Sequence, residues 1–225
     1  MEKVPNNIFE HFYNKLTYRK TISNANIISN NIDAKNLNPV WITGLFRSGT
    51  SITARLINQM GIDLGPESDL LKARGIREPL NPNGFFENYL FMDWSLMVFD
   101  KLNAWGDNPP DLEQVKAFNN DSISYKDFVY NSIVNIHDDR ISNNEKSEVL
   151  KKYFSGNLAQ YLTDNFESKF AIKNPHFCVL YPLLDKLFPN GKYLVVFRNP
   201  ADTIKSALQV SPKANYELYQ QYYAD

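Results

Sequence analysis

At 225 residues the chain is long enough for one sizeable core, and 43% hydrophobic with 22% charged residues is the balance of a soluble globular domain. A formal net charge of −1 leaves no global footprint for nucleic acid, so any anion site must be local; the single cysteine, Cys178, excludes an intramolecular disulfide or a cysteine-rich zinc site and suits a reducing compartment. No stretch approaches the roughly 18 apolar residues of a membrane span and residues 1–20 carry no signal-like apolar run, so a cytoplasmic protein without an integral membrane segment is expected.

In chain order, Ile8, Phe9, Phe12, Tyr13 and Leu16 stand at helical spacing and predict a leading amphipathic helix. The asparagine-rich "SNANIISNNIDAKNLNP" follows as a solvated linker, so 1–38 reads as an N-terminal helix plus linker and 39–225 as the main domain. "VWITGL" at 40–45 is a β-branched apolar run without polar alternation, the pattern of a strand buried on both faces of a parallel sheet. A glycine-rich turn then leads into a helix in which Ile52, Leu56 and Met60 recur every four residues and Gly61 marks the end.

The middle, about 88–166, shows helical periodicity in "YLFMDWSLMVFDKL", "YKDFVYNSIVNIHDD" and "EKSEVLKKYFSGNLAQYL", split by the turn-rich "GDNPPD". It is expected to form a helical region over one end of the sheet. Its aromatics between Phe85 and Phe99 read as core before they read as an acceptor pocket. Strand grammar returns in "KFAIKN" at 169–174 and "KYLVVFRN" at 192–199, separated by a helix in "FCVLYPLLDKLFPNG" that Pro182 interrupts and Pro189 and Gly191 stop. Beyond the last strand, Asn199 caps and Pro200 opens the helix "PADTIKSALQV". Strand, helix, strand, helix with short joins predicts an α/β fold of three layers, a central parallel sheet flanked by helices.

"GLFRSGTS" at 44–51 keeps the glycines and hydroxyls of a nucleotide phosphate loop, G-x-x-x-x-G-K-[ST], but has Thr50 in place of the lysine and Arg47 inside, which makes the fold P-loop-like. A strand feeding such a turn and then a helix aims backbone N–H groups and the positive end of the helix dipole at one point, a nest for phosphate or sulfate. Gly44 and Gly49 let the backbone approach the anion, and Ser48, Thr50 and Ser51 add hydroxyl donors. Arg47 adds a charge that forks onto two anionic oxygens. A triphosphate hydrolase also needs a magnesium site, normally with an acidic residue ending a second strand. Here the other strands run into "IKNP" and "VFRNP", so Lys173 and Arg198 point to direct anion binding.

At these residues the chain resembles the sulfotransferase superfamily, whose members move a sulfuryl group from 3′-phosphoadenosine 5′-phosphosulfate to an acceptor hydroxyl or amine. "GLFRSGTS" is similar to its 5′-phosphosulfate loop, P-[RK]-[ST]-G-T-[ST], departing at Phe46. "VVFRNPADTIKSAL" is similar to its 3′-phosphate motif, an arginine at a strand end and a serine eight residues later, here Arg198 and Ser206. "IKNPHFCVLYPLLDKLFPNGKYLVVFRNP" resembles the family's run of Lys-x-Pro, helix, Phe-Pro and strand, and "NPNGFFEN" at 81–88 resembles a segment frequent in bacterial members. The resemblance extends in order over about 40–208.

The resemblance implies that Arg47, Ser48, Gly49, Thr50 and Ser51 hold the phosphosulfate, Arg198 and Ser206 the 3′-phosphate, and that Lys173 stabilises the leaving group, with Arg47 and Lys173 both close to the chemistry. For the base, Glu67 lies twenty residues after Arg47, close to the family's glutamate position if one residue is gapped, and leads slightly over Glu87 in "GFFE", whose aromatic neighbours would desolvate it. His176, three residues after Lys173, either faces the acceptor or is structural, the commoner fate of a lone histidine near a strand end. His11 and His137 fall on helical polar faces, no histidine pair has metal-ligand spacing, and no metal is expected. The implied partner is a small-molecule, glycan or lipid acceptor, with no nucleic acid; oligomeric state is not legible. Two alternatives stand beside this reading. One is a nucleotide kinase-like transferase, against which the missing loop lysine and acidic strand end weigh. The other is a catalytically incomplete protein that binds the nucleotide without turnover, favoured by an ending at "YELYQQYYAD" that leaves the family's nucleotide-covering segment short or absent.

Overall fold

The structure is a computed structural model that describes residues 34, 36–72, 81–104, 108–123 and 158–210. Strand β1 (Val40–Thr43) lies in the middle of a three-stranded parallel sheet, between β2 (Ala171–Lys173) and β3 (Lys192–Val195). The register sets Trp41 beside Ile172 and Tyr193, and Ile42 beside Lys173 and Leu194. Successive side chains of a strand point to opposite faces, so these two rows define the two sides of the sheet.

On the Trp41 side the main core forms. Trp41 is fully buried against Phe91, Phe177 and Phe188, with ring centroids 5.6, 5.4 and 5.0 Å away. Those rings belong to α2 (Tyr89–Lys101), to α5 (Phe177–Leu187) and to the residue that ends α5. On the Ile42 side a smaller cluster joins Ile42 and Ala171 to Ala54 of α1 (Thr50–Gln59) and to Leu64. Helices therefore cover both faces, which is the three-layer α/β arrangement expected from the strand–helix alternation.

The local signals explain most elements. Asn88 caps α2 through its side chain, accepting from the Leu90 and Phe91 amides at 3.0 and 3.5 Å. Apolar nearly all round, α2 is buried along most of its length, so the aromatics between Tyr89 and Phe99 are core. Asn199 caps α6 (Pro200–Val210), with its Oδ1 2.9 Å from the Ala201 amide and Pro200 in the first turn, as expected. A short helix α3 (Leu112–Ala117), not anticipated, begins where Asp111 accepts from the Glu113 amide at 2.6 Å. Helix α4 (Leu158–Asn165) is tied in by Tyr161, whose hydroxyl donates to Asp69 at 2.8 Å and accepts from Asn88 at 2.8 Å.

Two expectations are corrected. Pro182 does not interrupt α5; it is buried inside a continuous helix, where the packing of Leu180, Leu183 and Leu184 outweighs the lost hydrogen bond. The strands at 169–174 and 192–199 pair only over Ala171–Lys173 and Lys192–Val195. In α1 the stripe of Ile52, Leu56 and Met60 is exposed, and the face on the sheet is that of Thr50 and Ala54, because the loop before the helix fixes which way its first residue points. The expected helix at 8–20, most of the linker, the "YKDFVYNSIVNIHDD" helix, most of "EKSEVLKKYFSGNLAQYL", His11, His137 and the "YELYQQYYAD" ending lie outside the described residues. No helix among the described residues is long and apolar enough to cross a membrane.

Candidate active site

The carboxyl ends of the three strands come together with the amino ends of α1 and α6, and at that junction the loop at 44–51 turns. Gly44 takes a φ of +143°, and a Cβ built there would stand 2.3 Å from the Val196 carbonyl oxygen beyond β3. Only glycine fits so close to a neighbouring backbone in that conformation. Gly49 takes φ +106° and hands the chain into α1 without any side-chain cap and with no acidic residue in the first turn. The positive end of α1 is thus left for an outside anion. Ser48 is buried in the same turn and its Oγ has no hydrogen-bond partner. A buried hydroxyl without a partner costs about 1–3 kcal/mol, so its presence in an anion-type loop fits a ligand oxygen.

Three of the expected anion-binding residues converge. Arg47, at φ +70°, donates from Nε to Ser206 Oγ at 3.1 Å, joining the loop to α6. Arg198 follows β3 and donates from Nη1 to the Arg47 carbonyl at 3.2 Å. Arg47, Arg198 and Ser206 come from segments up to 159 residues apart and form one cationic corner. Thr50 is buried at the start of α1, and Ser51 Oγ donates to the Phe85 carbonyl at 3.3 Å.

Lys173 ends β2 on the face that carries α1. Its Nζ is bonded to Glu87 Oε1, and donates to the Phe85 carbonyl at 3.2 Å and to Ser51 Oγ at 3.4 Å. Both charges are deep, Lys173 being 2% and Glu87 3% exposed. Burial pushes the Lys173 ammonium below its usual range, while the Glu87 carboxylate pulls it back up. Glu87 Oε2 is buried with no partner. Glu67, by contrast, is exposed at the start of a 3-10 turn (Glu67–Asp69), and among the described residues its carboxylate makes no hydrogen bond or ion pair.

Beside Lys173 lies a group that sequence reasoning did not assemble. His176 Nδ1 is 2.8 Å from Ser95 Oγ, and Asn174 donates to that same oxygen at 3.1 Å. Its ring packs on Phe99 and, edge to face, on Phe46 of the loop. Asn174 also accepts from the His176 amide at 3.0 Å, an Asx turn that an asparagine before proline foreshadows. Nothing in the sequence signals Ser95, which is 81 residues away from His176. Among the described residues no three His, Cys, Asp or Glu side chains cluster to hold a metal.

Against this geometry stands one comparison: a family model described as the sulfotransferase family matches residues 39–224, from the residue before β1 to beyond α6. The chain belongs to the sulfotransferase family. No curated protein and no solved structure matches it. As a sulfotransferase-family chain it carries the loop, the two arginines and the strand-end lysine at the carboxyl edge of a parallel sheet, the edge where open α/β sheets bind their ligands.

Proposed function

We propose that this chain transfers a sulfuryl group from 3′-phosphoadenosine 5′-phosphosulfate to a hydroxyl or amine acceptor. The observation that carries the reading is the convergence of Arg47, Arg198 and Ser206 beside the loop, through contacts of 3.1 and 3.2 Å. The donor has two anionic groups, and this corner offers two adjoining places for them. The loop, with its unpartnered Ser48 hydroxyl and the uncapped end of α1, fits the 5′-phosphosulfate. Arg198 and Ser206 fit the 3′-phosphate, and Arg47 lies between the two groups. A kinase-like reading fits less well, since Lys173 ends β2, Arg198 follows β3, and the carboxylate beside Lys173, that of Glu87, is bonded to it rather than open to magnesium.

When bound, the donor supplies a sulfuryl group whose bond to the bridging phosphate oxygen breaks as a bond to the acceptor oxygen forms, the electron pair leaving with adenosine 3′,5′-bisphosphate. The chain supplies position and charge. Lys173 links Ser51 of the donor loop to Glu87, so donor and acceptor sides are held by one ammonium. We assign the base to Glu87, whose buried Oε2 lacks a partner that an acceptor hydroxyl would provide before handing over its proton. Glu67 is exposed and, among the described residues, has no such anchoring. Comparing rates of donor consumption with mixed acceptors tests the assignment: Glu87→Gln should lower kcat by about 10²- to 10⁴-fold at unchanged bisphosphate affinity, with Glu67→Gln within a few fold of the parent. The reverse pattern would move the base to Glu67.

A further inference from the structure

Immediately before Glu87 the backbone takes an unfavourable turn. Phe86 has a φ of +66°, in the left-handed region that a bulky side chain disfavours. Around it the amides of Phe85 and Phe86 both donate to the Leu71 carbonyl, at 3.0 and 3.3 Å, while the Leu71 amide donates to the Glu87 carbonyl at 2.8 Å. Two successive residues thus face one, the count of a β-bulge, which bends a strand and re-aims its side chains. The Phe86 ring is anchored against the cluster of Ile42, Ala54, Leu64 and Ala171, whereas Phe85 packs on the core of the Trp41 side.

The effect of the turn is visible at Lys173. Its ammonium donates to Glu87 Oε1, to the Phe85 carbonyl at 3.2 Å and to Ser51 Oγ at 3.4 Å, and an ammonium has three N–H bonds to give. Two of these acceptors belong to the residues on either side of Phe86. In an extended strand a carbonyl lies in the plane of the sheet, and the side chain of a nearby residue stands perpendicular to it. An extended Phe86 would therefore send the Phe85 carbonyl and the Glu87 carboxylate in different directions. The left-handed turn lets both reach one nitrogen, while Glu87 and Lys173 also form a parallel backbone bridge.

We infer that Phe86 is a positioning residue for the transfer step: its left-handed backbone, held by its anchored ring, turns the Phe85 carbonyl and the Glu87 carboxylate together onto the Lys173 ammonium. Phe86 acts through Glu87 and Lys173 and not on the substrate. Strained backbone of this kind persists only where surrounding contacts over-determine it, and it concentrates where a site is held ready for chemistry. The link to transfer rests on the proposed function; the link to Lys173 rests on the hydrogen bonds alone.

The test compares Phe86→Gly, Phe86→Ala and Phe86→Val in the full chain, because all three lose the ring but differ in how readily they take a positive φ. Single-turnover transfer from saturating 3′-phosphoadenosine 5′-phosphosulfate to mixed acceptors should fall about threefold in the glycine variant, about tenfold in the alanine variant and about 10²-fold in the valine variant, with bisphosphate affinity within about threefold of the parent in each. A packing role predicts the opposite order, since valine fills most of the space and glycine least; that order, or equal losses, would overturn the inference. A second readout needs no turnover. In lysine-labelled protein the Lys173 ammonium protons should exchange with water at near-parent rates in Phe86→Gly and about tenfold faster in Phe86→Val. Exchange that is indifferent to the substitution would also overturn it. Should Phe86→Val not fold, the glycine and alanine variants decide alone. A parent chain that transfers nothing while the exchange order holds would count against the proposed function and leave Phe86 as the residue that positions Lys173.

Discussion

Lys173 and Glu87 are the two charges this structure can least hold apart. Each is almost wholly buried and each is the other's principal counter-charge. Removing one partner strands the other in a low-dielectric interior, whereas removing both leaves apolar side chains in a space the fold already shields from water. Glu87→Leu or Lys173→Met alone should each lower unfolding stability by about 3–5 kcal/mol in urea titrations, and the double variant should lose less than either single. Additive losses would mean the pair is not coupled as described. The same pair shows what sequence can and cannot carry at this scale. Lys173 was legible because a basic residue ends a strand, and Arg47, Arg198 and Ser206 because their motifs have fixed local spacing. Glu67 and Glu87 were not separable, because distance along the chain does not say which carboxylate reaches β2. Only the pairing of Glu87 with Lys173 across the fold does so. Ser95 was silent for the same reason.

Among the elements, the turn between β1 and α1 carries the most constraint for its length. A methyl group at Gly44 meets the Val196 carbonyl at 2.3 Å, and the φ of +143° is unfavourable for any side chain. Relief requires the loop to move away from the end of β3, and the loop amides move with it. Gly44→Ala should therefore cost about 1–3 kcal/mol of stability and, more tellingly, weaken adenosine 3′,5′-bisphosphate at least tenfold in calorimetry. Parent-like binding in that variant would show that the turn does not hold the anion. The helix after the turn was legible as a helix, but its facing was not. Periodicity locates an apolar stripe without saying what it meets, and in α1 the small Ala54, not Leu56, lets the helix close on the sheet. Likewise Pro182 reads as a break from local rules, whereas buried leucines on the same helix keep α5 continuous.

At the scale of the whole molecule, the sheet order β2-β1-β3 puts the loop-bearing strand between the two strands that end in basic residues or lead into them. The chain must cross over β1 between β2 and β3, and such a reversal opens a crevice at the carboxyl ends of the strands. Three segments, each weakly informative alone, thereby deliver Arg47, Lys173 and Arg198 to one edge. That arrangement was legible in outline because strand, loop and helix signals came in the right order; the layers were legible from the alternation of strands and helices, and the structure puts Trp41 on one side of β1 and Ile42 on the other. The central claim is that this edge holds a doubly anionic nucleotide without magnesium. Calorimetry of the full chain with adenosine 3′,5′-bisphosphate and with ATP, in magnesium-free buffer, tests it most directly. The bisphosphate should bind at micromolar or tighter affinity and ATP far more weakly; a preference for ATP, or bisphosphate binding that appears only with magnesium, would contradict the account.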